Sequence, residues 1–223
     1  MDNRHVLDSH TGSPSAAIEV NKVLKNTYML LSMTLVFSAV MAFAGMAMGI
    51  GRLASLGCFA GAFITMFVIA KNANSAKALP LTFLFTGLMG MSLGPMLTMY
   101  LSMPNGPMLV MQALGGTGII FFALSGYALV SRKDFSFMGG FLMVGLLLAV
   151  VAIVANIFLQ IPALSLAVSS AIILIMSGLI LFDTSRIIHG GERNYIMATV
   201  SLYLNVYNIF VHLLSLLGVM SDD

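Results

Sequence analysis

Residues 179–195 read LILFDTSRIIHGGERNY, and the change of character along this stretch decides the fold. It begins as the tail of a long apolar run and ends in Asp183, Arg186 and His189. Asp183 is the only carboxylate inside any apolar run of the chain. Cations suit a helix C-terminus, where they offset the dipole, and Gly190-Gly191 is a fitting stop. Arg186, three residues on, is within reach of Asp183 on the same helix face. One reading is a capped helix end with a local ion pair. The other is a proton- or cation-responsive carboxylate at the inner mouth of a cavity. Asp183 lies roughly 9 Å of helix before His189, a depth that favours the second.

Working outward, the chain has 223 residues, 59% hydrophobic and 8% charged. Soluble domains carry about 25% charged residues, so a membrane-embedded bundle is expected. Crossing the hydrocarbon core takes roughly 20 apolar residues as a helix. Seven segments qualify: 27–49, 53–70, 79–101, 108–130, 138–158, 163–187 and 195–217. They are continuously apolar, without the alternation of barrel strands, so the fold class is all-α and polytopic. Residues 1–26 form a polar N-terminal tail without a signal-peptide core, helical over 16–25 as a short surface helix. Residues 27–217 make the membrane domain and 218–223 a short external tail.

Basic residues orient the bundle. Nine of the ten, all but Arg52, fall on one face with the N-terminus. The positive-inside rule places that face in the cytoplasm and the C-terminus outside. The cytoplasmic loops are the richer ones, so partners are expected there.

Glycine pairs 45/49, 57/61 and 90/94 have close-approach spacing. Pro95 should kink or break span three, and the carbonyl it frees must face protein or water. In span seven, Ser201, Asn205, Asn208, His212 and Ser215 share one stripe, which should not face lipid. That stripe fits an interhelical hydrogen-bond seam and the wall of a permeation or sensing cavity equally well.

Other chemistry is thinner. GMSLG at 90–94 matches the G-x-S-x-G pattern, and Ser92 and His212 fall at similar depth. A membrane helix cannot supply the strand-to-helix elbow that pattern needs, so an intramembrane serine protease ranks third. His212 lacks a second histidine in the bundle, and a hydrogen-bonded core role fits it better than a metal. Asn156 and Gln160 read as packing glue. Cys58 stands alone, and the 19 methionines have no ligand partners, so no metal or other cofactor is expected. A formal charge of +2 and the lack of a phosphate loop argue against nucleic acid and nucleotides.

Several stretches resemble the Bax inhibitor-1 family, in particular its bacterial YccA branch. They are GLMGMSLGPML (87–97), ALGGTGIIFFALSGY (113–127), RKDFSFMGG (132–140), VANIFLQIPAL (154–164), LFDTSRIIHGGERNYI (181–196) and SLYLNVYNIF (201–210), with KVLKNTYMLLS (22–32) extending the likeness. The resemblance implies a seventh helix enclosed by the other six. It implies a non-enzymatic inner-membrane protein that binds and restrains the membrane AAA protease FtsH. Such a protein would also be a poor FtsH substrate, entered through its N-terminal tail. For other family members it implies a pH-sensitive calcium leak sensed by two aspartates, in spans six and seven. Asp183 matches the first. The place of the second reads Leu202-Tyr203-Leu204-Asn205, so the like-charge repulsion of a carboxylate pair is absent. The candidate sensor or cavity residues are therefore Asp183, Asn205, Arg186, Asn208 and His212. FtsH is the expected partner, within a lipid bilayer, with calcium as the alternative ligand.

Overall fold

The computed structural model describes residues 14–221. It is all-helical: α1 (Pro14–Ala47), α2 (Arg52–Asn72), α3 (Ala78–Ser92), α4 (Gly94–Leu101), α5 (Gly106–Ser131), α6 (Met138–Leu159), α7 (Pro162–Ile188) and α8 (Tyr195–Ser221). With α3 and α4 taken as one span, seven helices are long and apolar enough to cross a membrane. The sequence readings for residues 1–13 and for the final Asp222-Asp223 lie outside the described residues.

The expected surface helix and first span are one element. No glycine or proline interrupts residues 15–44, so nothing stops propagation from the polar start into the apolar run. At 34 residues α1 is roughly 51 Å long, more than a hydrocarbon core of about 30 Å requires.

The third span breaks where Pro95 stands. α3 ends at Ser92, Leu93 makes a tight turn with its N–H on Gly90 O at 3.0 Å, and α4 restarts at Gly94. Proline cannot bond the Met91 carbonyl, and that oxygen faces α1. A Cβ built on Gly45 would sit 2.8 Å from Met91 O, and one on Gly94 would sit 2.9 Å from the Gly45 carbonyl carbon. Gly90 meets the Ser38 carbonyl with no room for a side chain. The Ser55 hydroxyl donates to Ser92 O at 2.6 Å, tying α2 to the same break. Three of the six paired glycines thus make a backbone-to-backbone seam. Gly57 faces open space, Gly61 makes ordinary contact, and Gly49 is a left-handed helix end with φ 61°.

α8 is a shared packing partner of several helices. It packs against α7, α5 and α1, and more lightly against α3 and α2. Leu202, Ile209 and Leu214 on it are fully buried. Over their most apolar stretches the third span is 50% buried, α8 44% and α6 11%. α6 packs on α7 rather than on α8, and α4 meets α8 where Tyr100 lies against Gly218. At the basic end the loops are cross-tied. Asn194 Nδ2 donates to Ala73 O at 2.9 Å and Asn74 Oδ1 at 2.8 Å, while its Oδ1 caps α8 through the N–H groups of Ile196 and Met197. The Ser185 hydroxyl accepts the Phe135 N–H at 3.0 Å and donates to Lys133 O at 3.2 Å, fastening the α5–α6 loop to α7.

Candidate functional site

Asp183 is buried between α7 and α8, 7% exposed. Two side chains from α8, one turn apart, converge on a single carboxylate oxygen. Ser201 Oγ donates to Oδ2 at 2.6 Å and Asn205 Nδ2 donates to it at 2.8 Å. The convergence follows from helical geometry, since residues at i and i+4 lie on one face. Bonds of this kind to a charged acceptor are stronger than neutral ones, and a buried carboxylate without them would be costly. The other carboxylate oxygen receives no hydrogen bond from a described residue. Next along α7, Thr184 Oγ1 lies 3.3 Å from Tyr28 OH, and Thr199 Oγ1 reaches Thr27 O at 3.3 Å. Asp183 therefore sits at a junction of α7, α8 and α1.

The expected ion pair with Arg186 does not form. Arg186 turns outward, its Nη2 3.7 Å from Glu192 Oε2 and 3.5 Å from Gly191 O, with the guanidinium 5.5 Å from the Phe182 ring centroid. Sequence spacing allowed the pair. The left-handed turn at Gly190 decides against it, because it brings Glu192 back towards the end of α7.

Of the candidate residues, Asp183 and Asn205 are in contact, and the others are spread along the bundle. Asn208 Nδ2 donates to Leu204 O at 2.8 Å, a bond within its own helix. His212 Nδ1 lies 3.2 Å from Ser169 Oγ and lines a cleft of about 340 Å³ with Ser215 and Asn156. Ser92 and His212 are not brought together. The Ser92 hydroxyl donates to Met89 O at 2.6 Å and lies 3.2 Å from Tyr207 OH.

Tyr203 and Tyr207 were missed by the sequence reading. Tyr203 OH lies 2.6 Å from Ser38 Oγ and donates to Thr86 O at 3.3 Å, and its ring packs edge-on against Phe85. With Tyr207 one turn on, it gives α8 a second polar seam, facing α1 and α3. The signal was present in SLYLNVYN, where the two tyrosines are spaced i, i+4.

Comparison with known proteins places this architecture. The family model described as "Inhibitor of apoptosis-promoting Bax1" matches residues 20–222. An uncharacterized membrane protein of Vibrio cholerae is 53% identical over 216 residues, covering 96% of this chain and 97% of its own. The Escherichia coli protein named "Modulator of FtsH protease YccA" is 50% identical over 221 residues, 99% of this chain and 100% of its own. An uncharacterized protein of Pseudomonas aeruginosa is 44% identical over 205 residues, 92% of each chain. None of these names describes a catalytic activity. With a family model and relatives that match it nearly end to end, the chain belongs to the Bax inhibitor-1 family.

Proposed function

We propose that this protein is an inner-membrane modulator of an FtsH-type membrane protease, which it binds, restrains and resists as a poor substrate. The observation that carries this reading is 50% identity over 99% of the chain to the Escherichia coli protein named for that role. The fold supplies a physical reason for restraint. Pulling the chain out must separate α8 from α7, α5 and α1, which means exposing the Asp183 bonds and the Tyr203 bonds inside the membrane. In this reading the basic end faces the cytoplasm, residues 1–26 offer the protease a polar handle, and the membrane domain over 27–217 resists extraction. The last six residues lie outside. No catalytic step is assigned to the chain itself. Purification from native membranes tests the reading: the protease should co-purify, and deletion of residues 2–15 should lengthen the half-life of the chain. Unchanged half-life together with absence of the protease sinks it.

A second reading is favoured by one specific observation, the buried carboxylate with one oxygen that takes no hydrogen bond from the described residues. In it Asp183 and Asn205 gate a cation leak, calcium foremost, with Asn208 and His212 along the route and Arg186 at its mouth. Calcium flux into proteoliposomes between about pH 6 and 8 tests it. Flux unchanged by Asp183→Asn removes the gate, and no flux at all removes the leak.

A further inference from the structure

We propose that the cavity at the basic end of the seam between α1 and α5 binds the headgroup of an amine-bearing phospholipid, with an acyl chain lying along the seam. α1 and α5 are neighbours that do not pack side by side. Their Tyr28 and Phe121 rings meet with centroids 6.0 Å apart. At the basic end the gap widens into a cavity of about 410 Å³, bounded by the start of α1, the end of α5 and the α7–α8 turn. That volume is within the range of small-ligand sites.

The cavity is mixed in charge over an apolar floor. Val23, Leu24 and Leu129 line the floor. Arg132 caps α5 in a left-handed conformation, φ 49°, which is uncommon for a residue with a side chain. Its guanidinium makes no ion pair or hydrogen bond with a described residue, and neither does the Glu19 carboxylate. Arg193 has one long bond, 3.4 Å from Nε to Gly190 O. Glu192 is occupied by Arg186 and by the Asn194 N–H at 2.9 Å. Among the described residues, the Arg132 guanidinium and the Glu19 carboxylate thus lack a partner, and Arg193 has only its long bond to Gly190 O. A phosphodiester suits the guanidiniums and an ammonium suits Glu19. An anionic headgroup without an amine leaves Glu19 unmatched. Free phosphate leaves the apolar floor and the seam unused.

The seam supplies the place for a chain. A second hollow of about 260 Å³ lies further along it, with Leu35 and Ala39 of α1 facing Leu114 and Thr117 of α5. From Leu24 to Leu35 is roughly 17 Å along the helix, close to the half-thickness of about 15 Å of one hydrocarbon leaflet. A chain descending from a headgroup in the first hollow crosses the outer edge of the Tyr28–Phe121 contact, over the half-buried Tyr28 ring, before it reaches the second.

Native mass spectrometry of the full-length protein, titrated separately with phosphatidylethanolamine, phosphatidylglycerol and inorganic phosphate, tests this. One phosphatidylethanolamine should be retained per chain, in preference to phosphatidylglycerol. Glu19→Gln should weaken the amine lipid about fivefold and leave phosphatidylglycerol unchanged, and Arg132→Gln should weaken both. Ala39→Trp should weaken long-chain lipid more than its short-chain analogue. Thermal melting equal to wild type establishes that the Glu19 and Arg132 variants are folded, as their surface positions allow. Phosphate displacing the lipid, phosphatidylglycerol held as tightly as phosphatidylethanolamine, or variants that retain lipid like the wild type would each overturn the proposal.

Discussion

The two halves of α8 solve the same problem differently. Towards its start, Ser201 and Asn205 both point at Asp183, and their donors converge on one oxygen of the buried carboxylate at 2.6 and 2.8 Å. Towards its end, His212 has one 3.2 Å contact to Ser169 and borders a cleft. The stripe is continuous in sequence, yet only its first half meets a charge. A carboxylate in a low-dielectric surrounding needs several donors, whereas an imidazole beside a cleft can leave one ring nitrogen to the cleft while the other meets a hydroxyl. The difference teaches that an intramembrane polar stripe is not one site. It is a row of positions whose roles are set by what the facing helix presents.

The comparison can be broken most forcefully by adding charge. Asn205→Asp would set a second carboxylate against Asp183, and like charges at about 4 Å repel by about 4 kcal/mol at an intermediate dielectric. The variant should melt well below wild type at neutral pH and recover as the pH is lowered and the pair holds a proton. A pH-independent melting temperature would show that the two groups do not face each other. Next in size, Asn205→Leu should cost about 2 kcal/mol, or roughly 4–8 °C in detergent, because it leaves a buried acid with one protein donor. Ser201→Ala should cost about 1 kcal/mol by the same assay, since Asn205 still holds the same oxygen. His212→Leu should fall lowest, at about 0.6 kcal/mol, the average for a polar contact between membrane helices. If His212→Leu proves as damaging as Asn205→Leu, the two halves are equivalent and the distinction fails.

A separate test concerns the break in the third span. Gly90→Leu forces a side chain into the Ser38 backbone and should prevent close packing of α1 on α3, lowering the yield of folded protein. Gly57→Leu, facing open space, should be tolerated.

Much of this architecture was legible in the chain. Continuous apolar runs of about 20 residues have one stable form in lipid, because a helix satisfies its own backbone, so seven spans follow from composition alone. The break at Pro95 follows from a ring that removes a donor. The stripe on α8 follows from the helical period, and the pairing of Asp183 with Asn205 from the resemblance combined with that stripe. What tertiary structure alone decided was the direction of each side chain. Arg186 was spaced to meet Asp183 and instead meets Glu192, because the turn at Gly190, four residues later, moves the competing acid closer. Tyr203 and Tyr207 became a second seam because α1 and α3 offer Ser38, Thr86 and Ser92 at those heights. Gly45, Gly90 and Gly94 became a backbone contact while Gly57 did not, since a small residue matters only where another helix arrives. Helix formation is a local property of the chain in an apolar solvent. Partner choice is a property of two surfaces, and no single stretch of sequence contains both.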